Sequence, residues 1–239
     1  MSIAVIIPYP PTSPWYPRCR KSIDERFEVI SVADEEGKGA SAPRNEGLDR
    51  AFNFWNYRPD YVTFLDSDDE YAPDAYDQIE AAIKEAPDAP IIQLNHVLNK
   101  PDGTKWPRLT NRRGTYELDN LPRLWPSVCN KVFKAELIED IRFKNGLRHG
   151  EDELFVLECL ISARRIYNSE RVALYYHNDN PESLSKSTTL DDLIGEQVAL
   201  LEFIDEHRED KQLCTAVRIR QSELWSNAVY KRVLGGGKA

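Results

Sequence analysis

The stretch Tyr61–Asp69, YVTFLDSDD, constrains this chain most. A short apolar run ends in three carboxylates, Asp66, Asp68 and Asp69, packed into four positions. A strand that empties into acids either opens a solvated turn or builds a metal site. At the carboxyl end of a central strand in an open α/β sheet, where such folds bind ligands, the metal site is favoured. Asp66 and Asp68 are two apart, so on a strand they project to the same side. Two such carboxylates suit a hard divalent cation, Mg²⁺ or Mn²⁺, which is commonly completed by substrate phosphate oxygens. Acids also collect in turns, with Asp68 and Asp69 as caps, and the cluster alone leaves both readings open.

The surrounding pattern supplies the sheet. Ile3–Ile7 and Phe27–Val32 are β-branched runs without polar alternation, stopped by Pro8 and Asp34, as expected of strands covered on both faces. Arg18–Arg26 reads as a helix between them. Ser41 offers a cap for the next helix, with Pro43 in its first turn and Leu48, Ala51, Phe52 and Trp55 at helical spacing. Pro73 opens a third helix with Ile79, Ala82 and Ile83 on one face. The first 90 residues thus alternate strand and helix, the pattern of a parallel sheet with crossover helices. Ile91–Leu98 reads as a strand leading into a turn at Pro101–Gly103, and residues 104–150 read as irregular. Asp152–Ala163 is amphipathic, with Leu154, Phe155, Cys159 and Leu160 inward, and Val172–Tyr176 is a late strand. Leu190–Leu234 is helical without a loop signal, and Leu193, Val198, Leu201 and Ile204 form a loose stripe for packing on the core. Gly235–Gly237 reads as a disordered end.

Composition narrows the function classes. The 239 residues carry a net charge of −9 with no basic tract, which argues against nucleic acid as a partner. No segment approaches the ~18 uncharged apolar residues of a membrane-spanning helix, and the start MSIAVIIPYPP reads as a first strand and not as a leader. Four scattered cysteines, Cys19, Cys129, Cys159 and Cys214, imply neither a disulfide framework nor a zinc site and point to the cytoplasm.

Several motifs in order resemble the family 2 glycosyltransferases. IIPYP ends the first strand, SAPRNEGLDRA (41–51) is similar to that family's S-x-x-R-N-x-G-L-x-x-A helix start, and FLDSDDEYAPDA is similar to its strand and D-x-D motif. NKVFKAELI, Phe143, GEDELF (150–155) and ALYYHNDNPESLSKS follow in the same order, so the resemblance spans residues 3–187. It implies a GT-A fold: an α/β domain with a mostly parallel central sheet, flanking helices and a C-terminal helical appendage. The division would be a catalytic domain at 1–187 (nucleotide-binding half 1–98, acceptor-side half 99–187) and an extension at 188–239.

The roles it implies are specific. Pro8 and Asp34 would contact the nucleotide, Asp34 accepting a hydrogen bond from the base. Arg44 would help hold the base or phosphates, a surface residue being the alternative, and Lys131 would lie near the diphosphate, a solvated lysine being the alternative. Asp66 would sit near the ribose and share with Asp68 a divalent metal on the diphosphate. Asp152 would be the general base that deprotonates an acceptor hydroxyl. The implied donor is a nucleotide sugar, a uridine diphosphate sugar favoured, and the reaction an inverting hexosyl or N-acetylhexosaminyl transfer to a glycan or other hydroxyl, with peripheral membrane contact open. The chain departs from the family in the short segment 35–40 and in having Ala33 before Asp34 where two acids are usual. His149, His177, Trp106 and Trp125 receive no role, since single histidines and large aromatics are mostly structural.

Two other readings stand beside this one. A haloacid-dehalogenase-like phosphatase also places D-x-D after a strand, yet it carries a hydroxyl or β-branched residue where this chain has Glu70. A sugar-nucleotide binding module without turnover is the non-enzymatic alternative, against which Asp152 argues.

Overall fold

The computed structural model describes residues 1–54, 58–100, 102–108, 112–118, 126–177, 180–181 and 188–229. Trp55, Pro101, Trp125, the serine-rich run 182–187 and Gly235–Gly237 lie outside them, as do residues 230–234 of the expected C-terminal helix.

Strand β1 (Ile3–Tyr9) is buried from Ile3 to Pro8 and pairs in parallel on both edges, with β2 (Glu28–Ala33) and β3 (Tyr61–Phe64). Full burial on both faces is what its unbroken apolar run requires. Helix α1 (Tyr16–Lys21) is shorter than expected. Residues 24–26 turn instead, because the Asp24 carboxylate accepts from both the backbone N–H and the guanidinium of Arg26. Helix α2 (Ser41–Asp49) is preceded by Ala40 at its cap; Ser41 lies inside it, and no side chain caps it. A π-helical turn, Arg50–Phe54, continues it. Gly47 faces β1 so closely that a Cβ there would lie 2.4 Å from Ile6 Cγ2.

Strand β4 (Glu70–Tyr71) follows the acid cluster, then helix α3 (Ala75–Glu85) and strand β5 (Ile91–Asn99). The stretch expected to be irregular contains β6 (Lys105–Arg108), β7 (Gly114–Glu117), β8 (Lys131–Lys134) and the short α4 (Ala135–Ile138). The three strands carry two apolar residues or fewer each; in KVFK only Val132 and Phe133 are apolar, so no periodicity marks them. Helix α5 (Glu151–Ala163) leads into β9 (Arg165–His177), which starts seven residues before the expected Val172. The polar stretch Asn168–Arg171 breaks the apolar run in sequence, yet it is paired in the fold: Gln93 Nε2 donates to Asn168 Oδ1 at 3.0 Å and Asn95 Nδ2 to the Glu170 carbonyl at 3.0 Å.

The sheet runs β2-β1-β3-β8-β5-β9-β4. Along this path β2, β1, β3, β5 and β9 point one way, while β8 and β4 run against them, so the sheet is mostly parallel with helices flanking it. The antiparallel β8 is the hinge of the order. Beneath it Phe64, Phe133, Phe143 and Phe155 interlock, with Phe143 stacked on Phe155 at 4.0 Å between ring centroids.

The C-terminal segment is two helices, α6 (Leu190–Glu206) and α7 (Lys211–Val229), divided at 207–210 where Asp210 accepts from the Leu213 N–H. Thr189 and Asp192 cap α6 reciprocally. Helix α6 buries Glu196, Ala199, Leu200, Phe203 and Ile204, whereas Val198 and Leu201, expected inward, are 48% and 58% exposed. Of the expected stripe Ile204 is buried and Leu193 half-buried, while Ala199 and Leu200 take the inward places expected of Val198 and Leu201. No helix among the described residues is long and apolar enough to cross a membrane.

Candidate active site

A cleft of about 800 Å³ opens at the carboxyl ends of β1, β2 and β3 and runs to the head of α5. It is lined by Pro8, Asp34, Arg44, Asp66, Asp68 and Asp152, six of the seven residues singled out in the sequence. Lys131 is the exception. It is fully buried, and its Nζ donates to the Ser127 carbonyl at 2.6 Å and to Asn130 Oδ1 at 3.1 Å. Burial lowers its pKa to about 7, against the opposing pull of Asp152. The placement of Lys131 on a diphosphate, and its reading as a solvated lysine, both give way to a lysine turned into the core.

Asp34 follows β2 and holds its own loop: its two carboxylate oxygens accept the Lys38 and Gly39 N–H groups, each at 2.9 Å. Gly37 and Gly39, with φ of 63° and 89°, supply the left-handed turns this wrap requires. The short segment after Asp34 is thus closed by the same carboxylate that lines the cleft.

Arg44 is the hub. It is 2% exposed, and its Nη2 donates to Asp66 Oδ1 at 2.7 Å while Nη1 donates to Asp152 Oδ1 at 2.6 Å and to Glu151 Oε1 at 3.1 Å. Burial alone would pull the guanidinium pKa down; the three carboxylates, Asp152 foremost, hold it well above its ordinary value. The neighbouring residue fixes its place. Asn45 Nδ2 donates to the Phe143 carbonyl at 2.9 Å and Asn45 Oδ1 accepts the Phe143 N–H at 2.7 Å, tying α2 to the segment that leads to α5.

The acid cluster divides by surroundings. Asp66, on the Arg44 fork, turns into the cleft. Asp68 Oδ2 accepts from Asn180 Nδ2 at 2.8 Å, and burial and then the Asp66 charge raise its pKa. Asp69 is buried, accepts the His177 N–H at 2.8 Å, and is raised well above the usual carboxylate range by burial and by both neighbouring acids. His177 pairs with Glu70 at the cleft wall.

Asp152 sits in the first turn of α5, where Gly150 (φ 87°) turns the chain into the helix. Its Oδ2 accepts the Val128 N–H at 3.1 Å. Burial lifts its pKa to about 7, Arg44 pulling it down and Glu151 and Asp66 pushing it up. Asp152 thus faces the cleft as a carboxyl near its balance point at neutral pH.

The sequence reading did not assign Glu151, His149 or Glu196, all of which line the cleft. Glu196 had a signal: it lies three, four and seven residues before Ala199, Leu200 and Phe203, an acid on the apolar face of its helix, which is expected only of a partnered acid.

Acidic strand ends opening on a cleft where the strand order changes direction define a ligand-binding α/β domain of the GT-A kind. The chain belongs to glycosyl transferase family 2, whose pattern it matches over residues 18–142. Glycosyltransferase GlyA of Streptococcus pneumoniae serotype 4 is 27% identical over a 204-residue alignment that covers 76% of this chain and 28% of that protein, so the chain spans little more than a quarter of this relative. Among solved structures, TarS (1–349) of S. aureus in complex with UDP-GlcNAc superposes with a TM-score of 0.72 at 18% identity, covering 98% of this chain and 76% of that one. The same protein in complex with UDP gives 0.68 at 17% identity, covering 97% and 75%. At that identity the likeness is one of fold.

Proposed function

We propose that this protein transfers a sugar from a nucleoside diphosphate to an acceptor hydroxyl with inversion, using Asp152 as the general base. The observation that carries this reading is the single guanidinium of Arg44, which spans from Asp66 at the end of β3 to Asp152 at the head of α5. It joins a nucleotide side and a proton-accepting side across one cleft. TarS, which shares the fold, holds UDP-GlcNAc and UDP in its own structures, and this favours a uridine diphosphate hexose or N-acetylhexosamine as donor here.

In the step, Asp152 Oδ takes the acceptor O–H proton as the acceptor oxygen forms its bond to the anomeric carbon. The bond from that carbon to the diphosphate oxygen breaks, and the nucleoside diphosphate leaves with the electron pair. A base on the face opposite the leaving group gives in-line displacement and inverts the centre. Arg44 keeps the base charged and oriented, and Val128 N–H holds its second oxygen. Pro8 and the Asp34 loop form the wall on which the nucleotide is held.

A divalent cation fits this donor set in one specific way. Among the described residues no three His, Cys, Asp or Glu side chains form a cage, but Asp68, with its charge opposed by Asp66, offers a carboxylate that a cation would relieve. Asp68 and Asp66 would hold Mn²⁺ or Mg²⁺ with the donor phosphates completing the shell. Bound there, it would stabilise the charge developing on the leaving diphosphate. The acceptor is a glycan or another hydroxyl compound, and the cytoplasm, where nucleotide sugars are made, is the fitting location. The test is release of nucleoside diphosphate from a panel of nucleotide sugars by the wild-type chain and by Asp152→Asn. Turnover by the wild type alone supports the reading; equal turnover by both sinks it.

A further inference from the structure

Helix α6 reaches into the cleft with one residue. Glu196 is 3% exposed, and its Oε2 lies 2.8 Å from Nδ1 of His149, the residue before the turn into α5. A buried carboxylate is costly unless partnered, and the imidazole is its partner. The contact is tight: a Cβ on Gly150 would fall 2.5 Å from Glu196 Cγ. Because Nδ1 faces Glu196, Nε2 lies on the other edge of a ring that lines the cleft and is 33% exposed. Among the described residues Nε2 has no protein partner.

Other cationic groups of the cleft are engaged. Arg44 serves three carboxylates, His177 pairs with Glu70 and Arg148 lies 3.8 Å from Asp192, while Lys131 is outside the cleft, turned into the core. The lining is otherwise rich in acids, which would repel a diphosphate. We propose that His149, oriented by Glu196 from the C-terminal extension, is a binding residue of this site and donates from Nε2 to a phosphate oxygen of the nucleoside diphosphate. The inference rests on the transferase reading above. The groups around the ring favour its charged form: the Glu196 hydrogen bond raises its pKa first, burial opposes, and Glu196, Glu151 and Asp192 add to the rise, while Arg148 is its neighbour in sequence. A charge-assisted donor of this kind is among the stronger single contacts a phosphate finds.

The experiment is calorimetric titration of the full chain with MnCl₂ present, using uridine diphosphate and uridine as probes at pH 6.5 and 8.5. His149→Ala should weaken uridine diphosphate binding about tenfold or more, in line with losing a hydrogen bond to a charged group, and leave uridine binding unchanged. Wild-type affinity for the diphosphate should fall between the two pH values, and the fall should be smaller in His149→Ala, where only the ionisation of Asp152 contributes to it. Glu196→Gln should move it to lower pH; a purely structural role for Glu196 would not. If His149→Ala fails to fold, the pH shift in Glu196→Gln decides. Undiminished diphosphate binding by His149→Ala, or an equal loss of uridine, overturns the inference while leaving the transferase reading intact. A wild-type chain that binds none of the uridine, guanosine, adenosine or thymidine diphosphates overturns both.

Discussion

Arg44 Nη1 donates to Asp152 Oδ1 at 2.6 Å across 108 positions of sequence, and this contact makes the cleft a single electrostatic unit. The guanidinium is almost wholly buried, its Nε has no hydrogen-bond partner among the described residues, and its carbon lies 5.2 Å from the Phe143 ring centroid. Among the described residues its charge is met by Asp66, Glu151 and Asp152. Neither the proposed base nor the end of β3 can shift without the other feeling it.

Removing that cation should be severe. Arg44→Ala leaves partly buried carboxylates facing one another, a loss of about 3–5 kcal/mol on the scale of broken buried ion pairs. Protonation relieves such repulsion: an acid whose folded pKa is raised contributes stability at low pH and loses it as pH rises through that value. The deficit in melting temperature should therefore narrow as pH falls from 8 to 5. A deficit independent of pH would show that packing alone is lost.

Transfer should depend on pH through Asp152. A base must be ionised to accept the proton, and burial lifts this carboxyl to about 7. The rate at saturating donor should rise with pH through that region and level off above it. Asp152→Asn should keep nucleoside diphosphate binding and lower the rate by a factor of 10² to 10⁴, the usual worth of general base catalysis. A rate that falls with rising pH across 6 to 8 would contradict the assignment.

Asp68 should couple nucleotide to metal. In the presence of Mn²⁺, uridine diphosphate near a hundred times its dissociation constant adds about 2.7 kcal/mol to stability. Asp68→Ala or chelation should abolish that shift. The ligand-free Asp68→Ala protein should melt no lower than wild type, since burial and Asp66 already oppose the Asp68 charge. A ligand shift indifferent to metal would leave the D-x-D segment without its proposed role.

Two glycines separate strain from contact. Gly150 and Gly146 both have positive φ, 87° and 85°, but a Cβ at 146 meets nothing within 4 Å while one at 150 meets Glu196. Gly146→Ala should cost the conformational term, about 1–3 kcal/mol. Gly150→Ala should cost more in urea unfolding, and it should also weaken diphosphate binding by displacing Glu196 from His149. Equal losses at both sites would remove the contact from the account.

The parts of this molecule that could be read from sequence are those whose signal is local. β1, β2 and β3 lie where unbroken apolar runs place them, but β3 ends at Phe64, and Asp66 and Asp68 reach the cleft from the turn that follows, closed by the Asp69 N–H on the Asp66 carbonyl at 3.0 Å, not from a strand's period of two. What stayed hidden depends on partners far away in the chain. Lys131 carries a charge in sequence but is buried because the Ser127 carbonyl and Asn130 receive its protons. β8 is a strand because β3 and β5 flank it, not because KVFK has a strand pattern. The polar start of β9 is legible only once Gln93 and Asn95 stand opposite it. Arg44 was open between a surface residue and a hold on base or phosphates; it is buried, and its guanidinium spans three carboxylates that lie far apart in sequence.

Gly47 has no place in the cleft, yet it acts as a gauge for everything there. With Ile6 Cγ2 filling the space a methyl would need, the backbone of α2 rests on β1 at the shortest standoff a residue allows. Arg44 lies three residues earlier on the same helix, so that standoff decides how far its guanidinium can reach. A drift at position 47 would lengthen three ion pairs at once, and an assay would report a damaged active site in a chain whose every cleft residue was unchanged.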